Sequence, residues 1–571
     1  MEIKLYEPPT ASGFLELYRI PRLGALTIAT IANQSFGWGS SVHVKKVGPK
    51  QMRKFLDADV VGLSVLTNSA PSGYTFARDL RELANRLGRK PPLLMIGGVH
   101  VSAFPDEPFK HGFDIVVRGE AEETLEELLP AIQRRGSLSG IRGVSYKQGS
   151  VLTHNAPRGL PTNLNIFPTP DWSLMSGWQP IRYYPTYVAR GCLYDCSFCT
   201  VWTFNGNFMR IRDPKLVVEE IRSVEAPFIF FYDDAFDLAN LKKSREMGLS
   251  VLQEMKRQGI RKPWGAQVTE HSFEDEEFLD LCKATGCRVV YIGVESINPE
   301  AIGQYGKNQN KRALVPRLME NIRKYTSRGI HVHGMFICGA DADNSETLRY
   351  QAEVASNKLE LTTFHTSILM PLPGAVDREE FLVPVVKDEQ ISPPHRILFP
   401  DRWDWYEGLH AVIRHPKMSS LELLNSAYDS WRIFYENRGS WKKILARMIN
   451  PLFWVYLMVV ILRLLAIPAV GLWGYMKKDY RVLLRYRQKT WTYIGKSTGS
   501  AWIEITYKLI WRMIQDWWNH PDMVAHRAEL SQIPFAELKM DDVEKWRKSG
   551  REQKIVQIKR EQKALAAAEK T

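Results

Sequence analysis

The chain has 571 residues, of which 44% are hydrophobic and 24% are charged, and this globular composition excludes general disorder. The length allows about two to four domains. The net charge of +13 would suit nucleic acid, but twelve Lys and Arg residues against two acidic ones lie between 436 and 496, around an apolar run. This pattern favours an anionic membrane surface, and no nucleic-acid partner is expected.

The first residues, Met1 to Tyr6, are charged and strand-like and do not resemble a secretory signal, so we expect a reduced cytoplasmic location. Strands and helices then alternate over residues 1–150. The predicted strands are 59–65, 93–100 and 113–117, with a helix at 73–87 after the first of them. Such alternation predicts an α/β, Rossmann-like parallel sheet that binds ligands beyond the carboxyl ends of its strands. Gly97 and Gly98 would let a bulky ligand approach the backbone.

A linker is predicted at 151–180, and a β-like run at 183–188 precedes three of the six cysteines. Cys192, Cys196 and Cys199 have the spacing C-x3-C-x2-C. Three thiolates can hold three irons of a cubane [4Fe–4S] cluster and leave the fourth iron open, unlike a four-cysteine electron-transfer cluster. The alternatives are a structural zinc site or a chance group of buried cysteines.

Further strand–helix repeats extend over residues 181–385. The predicted strands are 227–236, 265–268, 289–296, 331–339 and 363–370. Repeated βα units with polar residues at the strand ends predict a parallel barrel with its site at the C-terminal rim. His331, His333 and His365 are predicted to be core or rim residues rather than ligands, and His365 is also a candidate donor to a substrate.

The cysteine motif resembles that of the radical S-adenosylmethionine (SAM) superfamily. The N-terminal stretches resemble the cobalamin-binding domain that precedes the barrel in B12-dependent radical SAM proteins of the hopanoid methylase and anaerobic Mg-protoporphyrin cyclase type. The resemblance covers about residues 1–385. It implies a partial (β/α)6 barrel, SAM chelated to the open iron, and a 5′-deoxyadenosyl radical that attacks an unactivated C–H bond.

The resemblance also implies roles for individual residues. The residues implied for SAM are Phe198, Asp233, Asp234, Gln267, Glu295 and Gly334. Those implied for the nucleotide tail of cobalamin are Ser64, Val65, Leu66, Thr67, Gly97, Gly98, Val99, His100, Gly119, Glu120 and Glu122. The D-x-H-x-x-G motif of other cobalamin enzymes is absent, because His43 has neither the aspartate nor the glycine in register. We therefore expect cobalt without a histidine ligand.

Blander interpretations remain for several of these residues. The first domain could be a degenerate Rossmann-like unit without a cofactor, Asp233 and Asp234 could cap a helix, and Glu295 could form a surface ion pair.

A mainly α-helical C-terminal domain is predicted at 386–535, followed by a charged tail at 536–571 that forms an exposed helix or is disordered. The apolar run at 451–476 is long enough to span a bilayer of about 30 Å. Arg463 near its centre, Pro468 and basic flanks on both sides favour a re-entrant or interfacial hairpin over a simple span. A buried core helix is the third alternative.

These observations predict a cobalamin-dependent radical SAM enzyme associated with the cytoplasmic face of a membrane. The expected reaction is C-methylation of a hydrophobic lipid, isoprenoid or tetrapyrrole, with a flavodoxin or ferredoxin as reductant. The alternative is oxidative cyclisation or another C–C or C–O bond formation on a similar substrate. A radical SAM tRNA modifier and a cofactor-free membrane scaffold have less support.

Overall fold

The structure is a computed structural model, and it describes residues 1–10, 22–176, 184–226, 228–237, 242–269, 272–306, 314–438 and 510–568. The apolar run at 451–476 and most of the predicted helical domain around it, residues 439–509, lie outside these ranges. Within the described ranges, no helix is both long enough and apolar enough to cross a bilayer.

The N-terminal part forms an eight-stranded sheet. Its strands are β1 Glu2–Tyr6, β2 Gly39–His43, β3 Val60–Ser64, β4 Leu93–Gly97, β5 Ile115–Val117, β6 Val144–Gln148, β7 Val151–His154 and β8 Met175–Ser176. Their spatial order is β7-β6-β5-β4-β3-β1-β2-β8, with β6 antiparallel to its neighbours β5 and β7 and the other neighbouring strands parallel. Strand order reverses between β1 and β3, which is where doubly wound sheets bind ligands. The segment predicted as a linker thus contributes β7 and β8 to this sheet.

Helices cover both faces of this sheet, as the predicted fold requires. They are α1 Leu23–Phe36, α2 Pro49–Phe55, α3 Ala70–Arg86, α4 Val99–Ala103, α5 Glu107–Lys110 and α6 Glu122–Gln133. Because successive side chains of a strand point to opposite faces, Leu5 packs with α1 and α6 whereas Tyr6 packs with α2 and α3.

A second sheet forms the predicted partial barrel. The strands of this part are β9 Tyr184–Thr186, β10 Ala189–Arg190, β11 Arg210–Ile211, β12 Ile229–Phe231, β13 Trp264–Val268, β14 Cys287–Glu295, β15 His331–Cys338 and β16 Thr363–Ile368. Six of them pair in parallel in the order β16-β15-β14-β13-β12-β9, and β10 and β11 form a separate antiparallel hairpin. On β15, Val332 and Phe336 are buried towards the outer helices, while His333 and Met335 face the interior and are half-buried.

The C-terminal residues share the core of the barrel, a packing that the sequence did not predict. The helices from residue 201 onward are α7 Val201–Asn205, α8 Pro214–Ser223, α9 Lys242–Arg257, α10 Glu276–Thr285, α11 Pro299–Gln304, α12 Leu314–Thr326, α13 Ser345–Asn357, α14 Val376–Phe381, α15 Ser420–Arg438, α16 Pro521–Gln532 and α17 Met540–Ala568. Tyr435 on α15 donates a hydrogen bond to the carbonyl of Phe364 at 2.7 Å, and Trp431 donates to that of Thr366 at 3.2 Å. Helix α15 therefore covers β16, the last strand of the barrel.

Candidate functional site

The cysteine loop leaves β10 and enters α7, and its base is tightly packed. Gly191 has φ +101°, and a Cβ there would lie 2.1 Å from the carbonyl oxygen of Phe208, so no other residue fits. The N–H of Cys192 donates a hydrogen bond to the carbonyl of Gly206 at 3.3 Å. The N–H of Cys199 donates to the carbonyl of Cys196 at 3.1 Å. These contacts fix both ends of the loop.

The three cysteines are half-buried thiols. Burial raises the pKa of Cys199 to about 12; the N–H of Val201, 3.4 Å from its sulfur, opposes the rise, and the charges of Cys196, Cys192 and Asp234 add to it. The three sulfurs therefore lie close enough for the charges of Cys192 and Cys196 to act on Cys199.

This donor set suits an iron–sulfur cluster. Thiolates are the soft ligands that such clusters use. A zinc ion would need its sulfurs within about 4 Å of one another, because Zn–S bonds are about 2.3 Å long. In the described part of the chain no three His, Cys, Asp or Glu side chains are close enough for one metal ion, whereas a four-iron cubane is larger and spreads its ligands apart.

The two aspartates that follow β12 have different surroundings. Asp233 is buried and accepts hydrogen bonds from the N–H of Val188 at 3.1 Å and of Ala189 at 2.6 Å, so it anchors the backbone ahead of the cysteine loop. Burial raises its pKa to about 7. Asp234 is half-buried, and burial raises its pKa to about 6, although a hydrogen bond with Asn205 acts in the opposite direction. Of the pair expected to bind SAM, Asp234 is the one that remains accessible.

Glu295 ends β14 with φ +58°, a conformation that is rare for a residue other than glycine and is often found at functional sites. Its carboxylate lies over Gly293, since a Cβ there would be 2.7 Å from Oε1. Gln267 on β13 is likewise half-buried on the inner face. Gly334 is different, because a Cβ there would meet Leu361 at 2.7 Å in the outer apolar layer. The role in SAM binding implied for Gly334 therefore does not fit its position.

Two imidazoles face the barrel interior near Tyr291. His333 Nδ1 lies 2.7 Å from the Thr363 hydroxyl, and His365 Nε2 lies 2.8 Å from that of Ser367. Burial lowers the pKa of His333 to about 3 and that of His365 to about 4, so both are neutral near pH 7. Phe198, ahead of the third cysteine, packs edge-on against Tyr305 with ring centroids 5.4 Å apart.

The carboxyl edge of the first sheet contains most of the residues implied for cobalamin. Ser64, Leu66, Gly97 and Val99 have exposed surface, whereas Val65 and Thr67 are buried. Gly98 has φ +116°, and a Cβ there would lie 2.1 Å from the Val65 carbonyl, so this glycine permits close packing of β3 and β4 rather than ligand approach. Gly119, with φ +74°, has nothing within 4 Å of its Cβ position and leaves an open side. An open glycine and the exposed Leu66 suit a large, partly apolar cofactor.

His100 does not line this edge. It is fully buried, its ring centroid is 5.0 Å from that of Trp403, and its Nε2 lies 3.4 Å from Glu107. The cobalamin contact implied for the His100 side chain does not fit this position, because a segment from beyond the barrel covers it. No local sequence pattern predicts this long-range contact.

Glu120 and Glu122 join the two sheets. Arg190, next to the cysteine loop, lies 2.6 Å from Glu120 and 2.7 Å from Glu122, and Arg210 lies 2.5 Å from Glu120. These carboxylates were expected at cobalamin, and they instead form ion pairs with the β10–β11 hairpin. Sequence reasoning missed both arginines.

Tyr232 was also missed. It directly follows β12, and 45% of its surface is exposed. Burial of its hydroxyl raises its pKa, and the charges of Arg22, Glu7 and Asp234 act on it. Tyr232 therefore lies between the barrel and the carboxyl end of β1.

The charged tail forms a helix, α17, as one of the two predicted alternatives had it, but one face of this helix packs against the cysteine loop. Lys559 lies 2.7 Å from Asp195, and Gln562 donates to the carbonyl of Trp202 at 2.7 Å. Ile558 is buried in a small apolar cluster against which Cys199 packs.

Comparisons with known proteins agree with this arrangement. The Radical SAM superfamily matches residues 186–350, and the B12 binding domain matches residues 18–129. An uncharacterized methyltransferase of Pyrococcus horikoshii is 27% identical over 485 residues, which are 80% of this chain and 99% of the relative. The bacteriochlorophyllide d C-12(1)-methyltransferase of Chlorobaculum tepidum is 25% identical over 445 residues, 76% of this chain and 86% of the relative.

Among solved structures, the radical S-adenosylmethionine methyltransferase TsrM from Kitasatospora setae, with cobalamin and a [4Fe–4S] cluster bound, has a similar fold. Its TM-score is 0.59 at 18% identity, over 76% of this chain and 91% of that one. These comparisons confirm the predicted fold class and the predicted cofactors, a [4Fe–4S] cluster, SAM and cobalamin. The chain therefore combines a radical SAM domain with a B12-binding domain, as the resemblance implied.

Proposed function

We propose that this chain methylates an unactivated carbon of a hydrophobic substrate, such as a tetrapyrrole, an isoprenoid or a polycyclic lipid. The observation that carries the proposal is the contact of Glu120 with Arg190 and Arg210, which holds the carboxyl edge of the first sheet beside the cysteine loop. Two cofactor sites held beside each other would suit transfer of a methyl group to a carbon activated between them. When bound, the cluster with SAM supplies hydrogen abstraction and cobalamin supplies the methyl group.

The chain's own residues would bind the cluster and SAM and orient them. Cys192, Cys196 and Cys199 would hold the cluster, and the accessible Asp234 carboxylate would bind the cationic amino group of SAM. The carboxylate of Glu295 would accept hydrogen bonds from hydroxyl groups of SAM, a role that its fixed position over Gly293 supports.

The barrel interior would contact the substrate. Tyr291, His333 and His365 offer hydrogen bonds without charge, because both imidazoles are neutral near pH 7. Gln267 lies on the same inner face. An uncharged lining suits a hydrophobic molecule with a few polar substituents.

The relative that acts on bacteriochlorophyllide supports a tetrapyrrole, since it matches 76% of this chain. The proposal includes a flavodoxin or ferredoxin as electron donor. It also includes docking of the apolar run at 451–476 on the cytoplasmic face of a membrane. The domain boundaries predicted from the sequence are part of the same proposal.

The test is anaerobic reconstitution with iron, sulfide and cobalamin, followed by incubation with methyl-labelled SAM and either a bacteriochlorophyllide or a lipid extract. Label in the substrate together with 5′-deoxyadenosine and S-adenosylhomocysteine would support methylation. 5′-Deoxyadenosine without label transfer would contradict it and favour oxidative cyclisation or coupling. The Cys196→Ala variant is the control, and it should form no 5′-deoxyadenosine.

A further inference from the structure

Arg190 and Arg210 lie directly opposite each other on the antiparallel strands β10 and β11. Like charges at directly opposed positions destabilise a β-pair. The penalty grows with burial, and here the Arg210 side chain is 3% exposed and that of Arg190 is 19% exposed. This short hairpin therefore needs a counter-charge from elsewhere in the fold.

Glu120 is that counter-charge. Its carboxylate accepts two hydrogen bonds from Arg210, at 2.9 and 2.5 Å, and one from Arg190 at 2.6 Å. Burial opposes the ionisation of Glu120, but Arg210 and Arg190 outweigh it and lower the pKa of the carboxyl. Among the described residues, every carboxylate paired with either arginine comes from the first α/β unit, because the remaining partner of Arg190 is Glu122.

The position of this network gives it a consequence for both cofactor sites. Arg190 stands two residues before Cys192, and the intervening Gly191 packs so closely against the Phe208 carbonyl that a Cβ there would lie 2.1 Å from its oxygen. Glu120 directly follows Gly119, the open glycine beyond β5. The network thus joins the start of the cysteine loop to the carboxyl edge of the B12-binding domain.

We infer that Glu120 is a positioning residue that makes the cysteine loop depend on the docked B12-binding domain and fixes the separation of the two cofactor sites. The identity of the two cofactors rests on the proposed function, whereas the dependence of the hairpin on Glu120 does not.

The first test measures hydrogen–deuterium exchange of residues 188–192 and 206–212 in the full-length protein without cofactors. Glu120→Gln removes the counter-charge with little change of shape, and exchange there should accelerate at least tenfold. Glu127→Gln makes the same change at a half-exposed carboxylate on α6 and should leave exchange unaltered. In the double variant Glu120→Gln with Arg210→Gln, the charge of Arg190 is still balanced by Glu122. Slow exchange should therefore return.

The second test measures the distance between the reduced cluster and cob(II)alamin by pulsed EPR. The wild type and Glu127→Gln should each give one narrow distance distribution. Glu120→Gln should give a broader distribution. The double variant should give a narrow distribution again. Unchanged exchange and an unchanged distance in Glu120→Gln would overturn the inference. A wild type that takes up no cobalamin would overturn the proposed function instead, and the exchange measurement would still decide the role of Glu120.

Discussion

The carboxylate of Glu295 lies directly over the α-carbon of Gly293, on the inner face of β14. A Cβ on residue 293 would be 2.7 Å from Oε1 and 2.8 Å from Oε2. The pairing of β14 with β15 is irregular between these two residues, and Glu295 has φ +58°. The glycine therefore decides where the acid can lie.

Replacing Gly293 with alanine should displace this carboxylate. Because the proposed contact of Glu295 with SAM would be lost, we expect at least a tenfold weaker affinity for SAM, about 1.4 kcal/mol, measured by equilibrium dialysis with the reconstituted protein. Gly24→Ala, at a position with nothing within 4 Å, is the matched control. An unaltered affinity in Gly293→Ala would show that the carboxylate does not bind SAM.

Asp233→Ala and Asp234→Ala should have different effects. Loss of Asp233 leaves the N–H groups of Val188 and Ala189 buried without an acceptor, which should lower the free energy of unfolding by about 2–4 kcal/mol. Asp234→Ala should keep the stability and weaken SAM binding. Denaturant unfolding and SAM affinity, measured for both variants, check this division, and equal losses of stability would contradict it.

Ile558→Asp should loosen α17 from the cysteine loop. The charge would enter the apolar cluster against which Cys199 packs, and the visible absorbance of the cluster should then decay several-fold faster in the presence of a chelator. Val556→Asp introduces the same charge at a position that is 45% exposed and should decay at the wild-type rate. Identical decay in the two variants would mean that α17 does not protect the loop.

The contribution of His365 to stability should decrease as the pH falls below 6.5. Burial lowers the pKa of His365 from 6.5 to about 4, so between these values the unfolded chain binds a proton that the folded chain does not. The expected loss from this group is about 2 kcal/mol between pH 7.5 and 5. Urea unfolding at both pH values measures it, and His365→Asn should reduce the difference by that amount. An equal pH dependence in the variant would exclude His365 as its source.

The apolar run at 451–476 should bind the protein to membranes. Exchanging it for a Gly/Ser segment of equal length should abolish cosedimentation with anionic liposomes, because the buried apolar area supplies the attraction. Denaturant unfolding of the variant controls for a damaged fold. Unchanged cosedimentation would favour the core-helix alternative.

Features of this protein that depend on local patterns could be predicted from the sequence. The spacing of Cys192, Cys196 and Cys199 identified the cluster loop, because one short loop must supply all three thiolates. Period-two and helical patterns predicted the two α/β units, since burial of one face repeats along each element. The polar ends of β12 and β14 predicted correctly where Asp234 and Glu295 lie.

Tertiary structure alone decided which neighbours these residues have. Gly334 faces outward because its place in β15 determines its face, and a shift of one residue would reverse it. Asp233 and His100 are buried by segments distant in the chain, and α17 reaches the cysteine loop from more than 350 positions away. Glu120 meets Arg190 and Arg210 across two sheets. Contacts between residues so far apart leave no periodic trace in the sequence, because each partner is set by packing of whole elements rather than by the residues beside it.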